Sequence, residues 1–275
     1  GGGSFNAAKG ELAVSVGRGY YNSDIALFDV ATGDCKTITE GDTADEDPFI
    51  SDEDPDIIYY ASRAVGRDSH GDFAEFAPSA IYRLNLATMQ LDEVASSNKY
   101  GYFKPVVHNG ELYAIRMPAG KKRGNPLLEI VLIPYRILQG IAGFINMFVN
   151  VFAGKSLTSS GSNPAKGRDY DSRKIAIAGN LVDVEKEARK NSSKKDSDYG
   201  FVPKSYELVK VESGEVLASG VADFDIATDG TIYYTNGRRI FALKDGVKRK
   251  VCNTSLCLRV SCRHSHNKSA DLFNF

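Results

Sequence analysis

The chain has 275 residues, of which 42% are hydrophobic and 25% charged, and a formal net charge of -1. That composition excludes a disordered chain and allows one large core or two modest ones. Four cysteines in a chain this long exclude a disulfide framework; they favour a reducing, cytoplasmic compartment, with a bacterial envelope or secreted location left open.

The opening GGGS reads as a linker or as sequence interior to a longer protein, and no signal-like segment follows it. A strand phrase then recurs four times. The opening strands are GELAVSV at 10–16, PDIIYYAS at 55–62, GELYAIR at 110–116 and GTIYYTN at 230–236. Their partners are DIALFDVATG at 24–33, AIYRLNLATM at 80–89, SYELVKVESG at 205–214 and RIFALKDG at 239–246. Each partner leads into a short final strand, CKTIT, LDEVA, EVLAS or VKRKV. Alternating β-branched and aromatic residues between Gly, Asn and Asp turns are what a half-buried pleated surface requires. Before the second, third and fourth units, the segments FIS, FKPVV and DFDIA supply a further brief strand. The polar run VGRDSHGDFAEFAPS at 65–79 lengthens the second unit.

Once residues 119–204 are set aside, the repeat is roughly 35 to 55 residues long, the size of a propeller blade, in which one small twisted sheet needs neighbours to bury its faces. The run DEDPFISDEDPDIIYY followed by IYRLNLAT resembles the TolB-like β-propeller family. Asp47 and Pro48 match that family's Asp-Pro before a short strand, Ser51 to Pro55 loosely match its turn, and Ile81 to Leu86 match its following strand, with Asn85 where Asp is usual. The resemblance implies an all-β propeller or partial propeller of about four recognisable blades, and is nearly silent on function. The domain reading is blades one to three (first part) at 1–118, a helix-containing insertion at 119–204, the remainder of blade three and blade four at 205–251, and a last strand with a loose or non-native tail at 252–275.

The insertion differs in charge: residues 1–118 carry 9 basic and 19 acidic side chains, residues 119–204 carry 15 and 8. Its apolar stretch, 125–154, read as a helix, gathers Glu129, Arg136, Gln139, Gly140, Gly143, Asn146 and Asn150 on one narrow stripe. Asn125-Pro126 is a fitting start, Pro134 a kink and Gly154 a stop. The helix is expected to pack on the core or to meet a partner protein, peptide or second copy of the chain. The anchors are then Tyr135, Phe144, Ile145, Phe148 and Phe152, with Lys121, Lys122 and Arg123 orienting an acidic partner. A peripheral membrane contact is a lesser alternative, and a full span is poorly supported because Glu129 and Arg136 interrupt it. RKIAIAGNLVDV at 173–184 reads as a hairpin and VEKEARKNSSKKDSD as a brief charged helix running into a solvated segment.

No nucleophile elbow, zinc-protease helix motif or dinucleotide loop is present, so no catalytic residues and no cofactor are assigned. Asp45, Asp47, Asp52 and Asp54 are weak candidates for a hard cation, weighed against turn hydrogen bonding. Cys252, Cys257 and Cys262 are weak zinc candidates whose spacing is wrong for paired knuckles. The acidic first units argue against nucleic acid. The function expected is non-catalytic recognition of a protein or peptide. The alternatives are a hydrolase of peptide or carbohydrate substrates using paired carboxylates, an accessory domain of one, or a self-associating structural protein.

Overall fold

The computed structural model describes residues 2–19, 21–119, 174–177, 180–192, 198 and 200–262. The apolar stretch with Tyr135, Phe144, Ile145, Phe148 and Phe152, and the basic residues Lys121, Lys122 and Arg123, lie outside the described residues.

Four antiparallel meanders follow one another along the chain. The first is β1 (Gly3–Asn6), β2 (Glu11–Gly17), β3 (Ser23–Asp29) and β4 (Cys35–Thr37). The second is β5 (Thr43–Ile50), β6 (Ile57–Arg67), β8 (Ala80–Asn85) and β9 (Leu91–Ala95), with β7 (Phe73–Phe76) folded back on the far end of β6. The third is β10 (Tyr100–His108), β11 (Glu111–Pro118), β14 (Glu207–Lys210) and β15 (Val216–Ser219). The excursion between β11 and β14 therefore leaves and returns on adjacent strands. Within it, β12 (Lys174–Ile177) pairs with β13 (Asn180–Asp183), which runs into α1 (Val184–Ser192). The fourth meander is β16 (Asp223–Ile226), β17 (Ile232–Thr235), β18 (Gly237–Lys244) and β19 (Val247–Cys257).

The turns show why the register is fixed. Asn109-Gly110, both at positive φ, joins β10 to β11 with His108 opposite Glu111, and Asp245-Gly246 joins β18 to β19 with Lys244 opposite Val247. Two left-handed residues in a two-residue loop give the twist that matches the flanking strands, and Asn-Gly and Asp-Gly are the pairs that adopt it most readily.

Three expectations change. Residues 3–6 are not a linker but a strand, paired from Gly3 opposite Val14 to Asn6 opposite Glu11. The run at 65–79 is not simply polar: β6 continues to Arg67 and pairs with β7, and Tyr21 stacks on Phe73 at 3.8 Å with Phe76 alongside. The first two meanders are also not separate sheets. A single parallel pairing, Ser23 with Ala44, joins them, so seven strands in the order β1-β2-β3-β5-β6-β8-β9 form one sheet curled through 213°. The cause is local: β5 starts four residues before its Asp47-Pro48 bulge, and that early half reaches the side of β3.

Burial follows the meanders. Ile25, Ile50, Ile58, Tyr60 and Leu84 make one apolar cluster across the first two, and Ile81 and Ala114 link the second to the third. The largest cluster joins Phe103, Ile115 and Leu208 of the third to Phe224, Ile232 and Phe241 of the fourth. The curled sheet thus hides apolar surface within its own curve and against the third sheet, and the third against the fourth. The hairpin β12–β13 contributes Ile177 and Val182 to a smaller cluster with Val202 and Ala222. Among the described residues, no helix is long and apolar enough to cross a membrane.

Candidate functional site

The first strands of the second, third and fourth meanders converge on a charged cluster. Register shows the equivalence: Phe49 lies opposite Tyr59, Val106 opposite Tyr113 and Asp225 opposite Tyr233. Two residues before each stands Asp47, Lys104 or Asp223. In the first meander Ser4 lies opposite Ala13 at the equivalent place, so the matching position is Gly2. Asp47 and Lys104 each precede a proline, and each adopts a positive φ, 51° and 50°, inside a β-bulge. A bulge of this kind re-aims one side chain off the pleat.

The geometry is that of ion pairs around a shared centre. Lys104 Nζ lies 3.3 Å from Asp223 Oδ1. Arg259, from the segment after β19, reaches Asp47 Oδ1 at 3.4 Å and Asp223 Oδ1 at 3.8 Å. It fills the space that Gly2 leaves open: a Cβ on Gly2 would come within 3.1 Å of Arg259 Nη1. The same segment is held through its backbone. The Val260 N–H donates to Asp223 Oδ2 and the Cys262 N–H to Asp225 Oδ2, both at 2.7 Å. Asp223 and Asp225 are buried and two residues apart on β16, hence on one face of it, and they take amides two residues apart on the guest segment. Burial raises the Asp223 carboxyl above its usual range; Lys104, the Val260 amide and Arg259 pull it back. Burial, with the charges of Asp225 and Asp229, pushes the Cys262 thiol up to about 11, so it is a thiol rather than a thiolate at neutral pH.

A second set of carboxylates is buried between β3 and β5. Asp24 is 1% exposed and paired with Arg18. Burial drives its pKa up to about 7; Arg18 opposes this, while the charges of Asp45 and Glu40 add to it. Asp45, also buried and raised, accepts a 2.6 Å hydrogen bond from Ser62 Oγ. Arg63 lies over the Phe76 ring at 4.0 Å and reaches Glu46 at 3.1 Å.

The sequence candidates therefore scatter. Asp47 enters the charged cluster, through a guanidinium rather than the turn hydrogen bonding expected. Asp45 faces Ser62, and Asp54 Oδ1 accepts from its own turn at the Asp56 N–H, 2.9 Å. Asp52 is exposed. Cys252 lies exposed on β19, Cys257 ends that strand, and Cys262 lies beside Asp225. The last strand expected within 252–275 is the end of β19 and stops at Cys257; beyond it Asp223 and Asp225 side chains take up the Val260 and Cys262 amides. No group of three or more His, Cys, Asp or Glu is gathered for an ion among the described residues. Lys104, Asp223, Asp225 and Arg259 were not singled out from sequence. Asp47, Lys104 and Asp223 stand eight, six and seven residues before the turn residues Pro55, Gly110 and Gly230, so no fixed spacing marks them and strand register alone makes them equivalent; Arg259 has no sequence signal either.

A cleft of about 370 Å³ opens between β15, Asp198 with the 200–204 segment, and the β17–β18 face. Val216 to Gly220 form one wall; Tyr234, Phe241 and Lys248 stand opposite. Asp24 and Asp45 are not among its lining residues.

No protein-family model matches the chain, and no curated protein matches it significantly. Among solved structures, the tricorn protease superposes over 91% of this chain and 26% of its own, at 14% identity and a TM-score of 0.41. A Bacteroides fragilis protein assigned as a 6-phosphogluconolactonase superposes over 90% of this chain and 68% of its own, at 14% identity and a TM-score of 0.32. The chain spans about a quarter of the length of the tricorn protease.

Proposed function

We propose that the chain is a non-catalytic recognition scaffold, a partial propeller of four TolB-like blades, that holds an extended segment of a protein or peptide against the axial ends of its innermost strands. One observation carries the reading: residues 259–262 already lie there as a guest, with amides two residues apart bonded to Asp223 and Asp225. Carboxylate-to-amide bonds are charge-assisted and read the backbone, so they accept many sequences, while the Asp47 and Asp223 pair selects for a cation at the place of Arg259. The residues Tyr135, Phe144, Ile145, Phe148 and Phe152 are proposed as additional apolar anchors, with Lys121, Lys122 and Arg123 steering an acidic surface of the partner.

The test uses a labelled peptide of residues 256–264 with its cysteines replaced by serine, added to the full chain. Arg259→Glu with Val260→Pro should release the resident segment and raise peptide affinity about tenfold over the parent chain. Asp223→Asn with Asp225→Asn, added to that variant, should abolish the gain. A released variant that binds no better than the parent, or unchanged binding after the double Asn change, refutes the reading.

The hydrolase alternative draws on Asp24, whose pKa near 7 suits proton transfer. Its carboxyl is covered, paired with Arg18, and away from the cleft, which favours recognition over catalysis.

A further inference from the structure

We infer a second recognition site, separate from the axial one: the cleft beside β15 takes an extended acidic peptide that adds to this strand as the next member of the sheet. The four meanders end in β4, β9, β15 and β19. A strand in that position shows a row of backbone groups to its surroundings, and soluble proteins guard such rows with charge. β4 carries Lys36, β9 carries Asp92 and Glu93, and β19 carries Lys248, Arg249 and Lys250. β15, Val-Leu-Ala-Ser, carries none. Its full length also walls a cleft.

The hydrogen-bond phase places donors on the right side. The Gly220 N–H donates to Tyr206 O at 2.7 Å and Ser219 pairs opposite Glu207. Backbone groups alternate sides along an antiparallel strand, so Ser219 turns its amide and carbonyl from β14 toward the cleft. Four residues of strand present an edge about 13 Å long, enough for a short extended ligand. Main-chain pairing of this kind supplies affinity, and side-chain surroundings supply selectivity.

Those surroundings favour an acidic side chain. Lys204 and Lys248 line the cleft with Asp198. Arg239 Nε lies 3.8 Å and Lys248 Nζ 4.0 Å from Asp198, so two cations flank this one carboxylate, and Lys204 is a further cation of the lining. Tyr234 and Phe241, stacked with centroids 5.1 Å apart, form an aromatic floor, and Lys248 sits 5.0 Å above Phe241.

The test is fluorescence anisotropy of the full chain with the heptapeptide Thr-Val-Glu-Val-Glu-Val-Thr, its counterpart with Lys at both Glu positions, and the acidic peptide N-methylated at alternate amides. The acidic peptide should bind about tenfold more tightly than either of the others. Lys248→Glu should reverse the preference between Glu and Lys peptides, and Ser219→Pro, which deletes the outward amide, should weaken the acidic peptide about tenfold. Asp223→Asn with Asp225→Asn should leave this binding unchanged, which separates the cleft from the axial site. Equal binding of the methylated and unmethylated peptides refutes strand addition even if Ser219→Pro does not fold. Equal binding of Glu and Lys peptides refutes the acidic ligand. Concentration-dependent dimers in sedimentation that Lys248→Glu dissolves would assign the edge to a second copy and overturn the proposal.

Discussion

Replacing Asp24 by Asn should stabilise the protein at alkaline pH and leave it little changed in acid. Asp24 is covered by β3 and β5, and its pKa stands near 7 against an ordinary 3.8. A carboxyl whose pKa is raised on folding costs nothing below the unfolded value, where both states are protonated. Stability is then lost between pH 4 and 7, as the unfolded chain ionises while the folded one resists. About three pH units at roughly 1.4 kcal/mol each put the cost at about 4 kcal/mol above pH 7, an upper bound because water can reach the site as it relaxes. The Asn variant has no such cost, although it gives up the charge on its Arg18 contact. Urea unfolding of both proteins from pH 4.5 to 8.5 is the assay. The stability difference, variant minus parent, should grow by about 2 to 4 kcal/mol across that range. Carboxyls held low by hydrogen bonds, such as Asp29, Asp92 and Asp229, act below pH 4 and do not enter the window. A difference that stays flat with pH would show that Asp24 is not the group being titrated by folding.

Two further outcomes test the packing. Phe224→Ala removes a fully buried ring from between the third and fourth sheets and should cost about 3 to 5 kcal/mol, read as a lower urea midpoint. Gly200→Ala would place a methyl against the Asn236 backbone carbonyl and 2.5 Å from the Asn236 Cγ, displacing the 200–204 segment; a loss of about 1 to 3 kcal/mol, with weakened binding in the β15 cleft, is expected from calorimetry and anisotropy.

The strands were legible because local chemistry fixes them. Ile58, Tyr60 and Ser62 alternate with Tyr59 and Ala61 between turn residues, and Asn109-Gly110 and Asp245-Gly246 can hardly do anything but turn. β1 was not, since Gly3 and Ser4 have no intrinsic preference for a strand and acquire one only by pairing with Ala13 and Val14. β7 hid behind its polar neighbours; Phe73 and Phe76 matter through Tyr21, some fifty residues away, which no window of sequence contains. The join at Ser23 and Ala44 is equally non-local. The charged cluster was not legible: Asp47, Lys104 and Asp223 lie at different distances from their turns, because bulges and loops of different length intervene, and only strand pairing brings them into step. Arg259 lies in a tail whose composition matches none of the repeats, and its role exists only in three dimensions.

The contact between Arg259 and Asp47 spans 212 positions of the chain. During synthesis, the second meander is made long before the residue that pairs with its Asp47 carboxylate. A chain growing from the ribosome can therefore settle its hairpins early, while Asp47 meets Arg259 only when nearly all the described fold has emerged. Arg259→Ala is therefore expected to speed unfolding with little change in the folding rate, read by stopped-flow in urea.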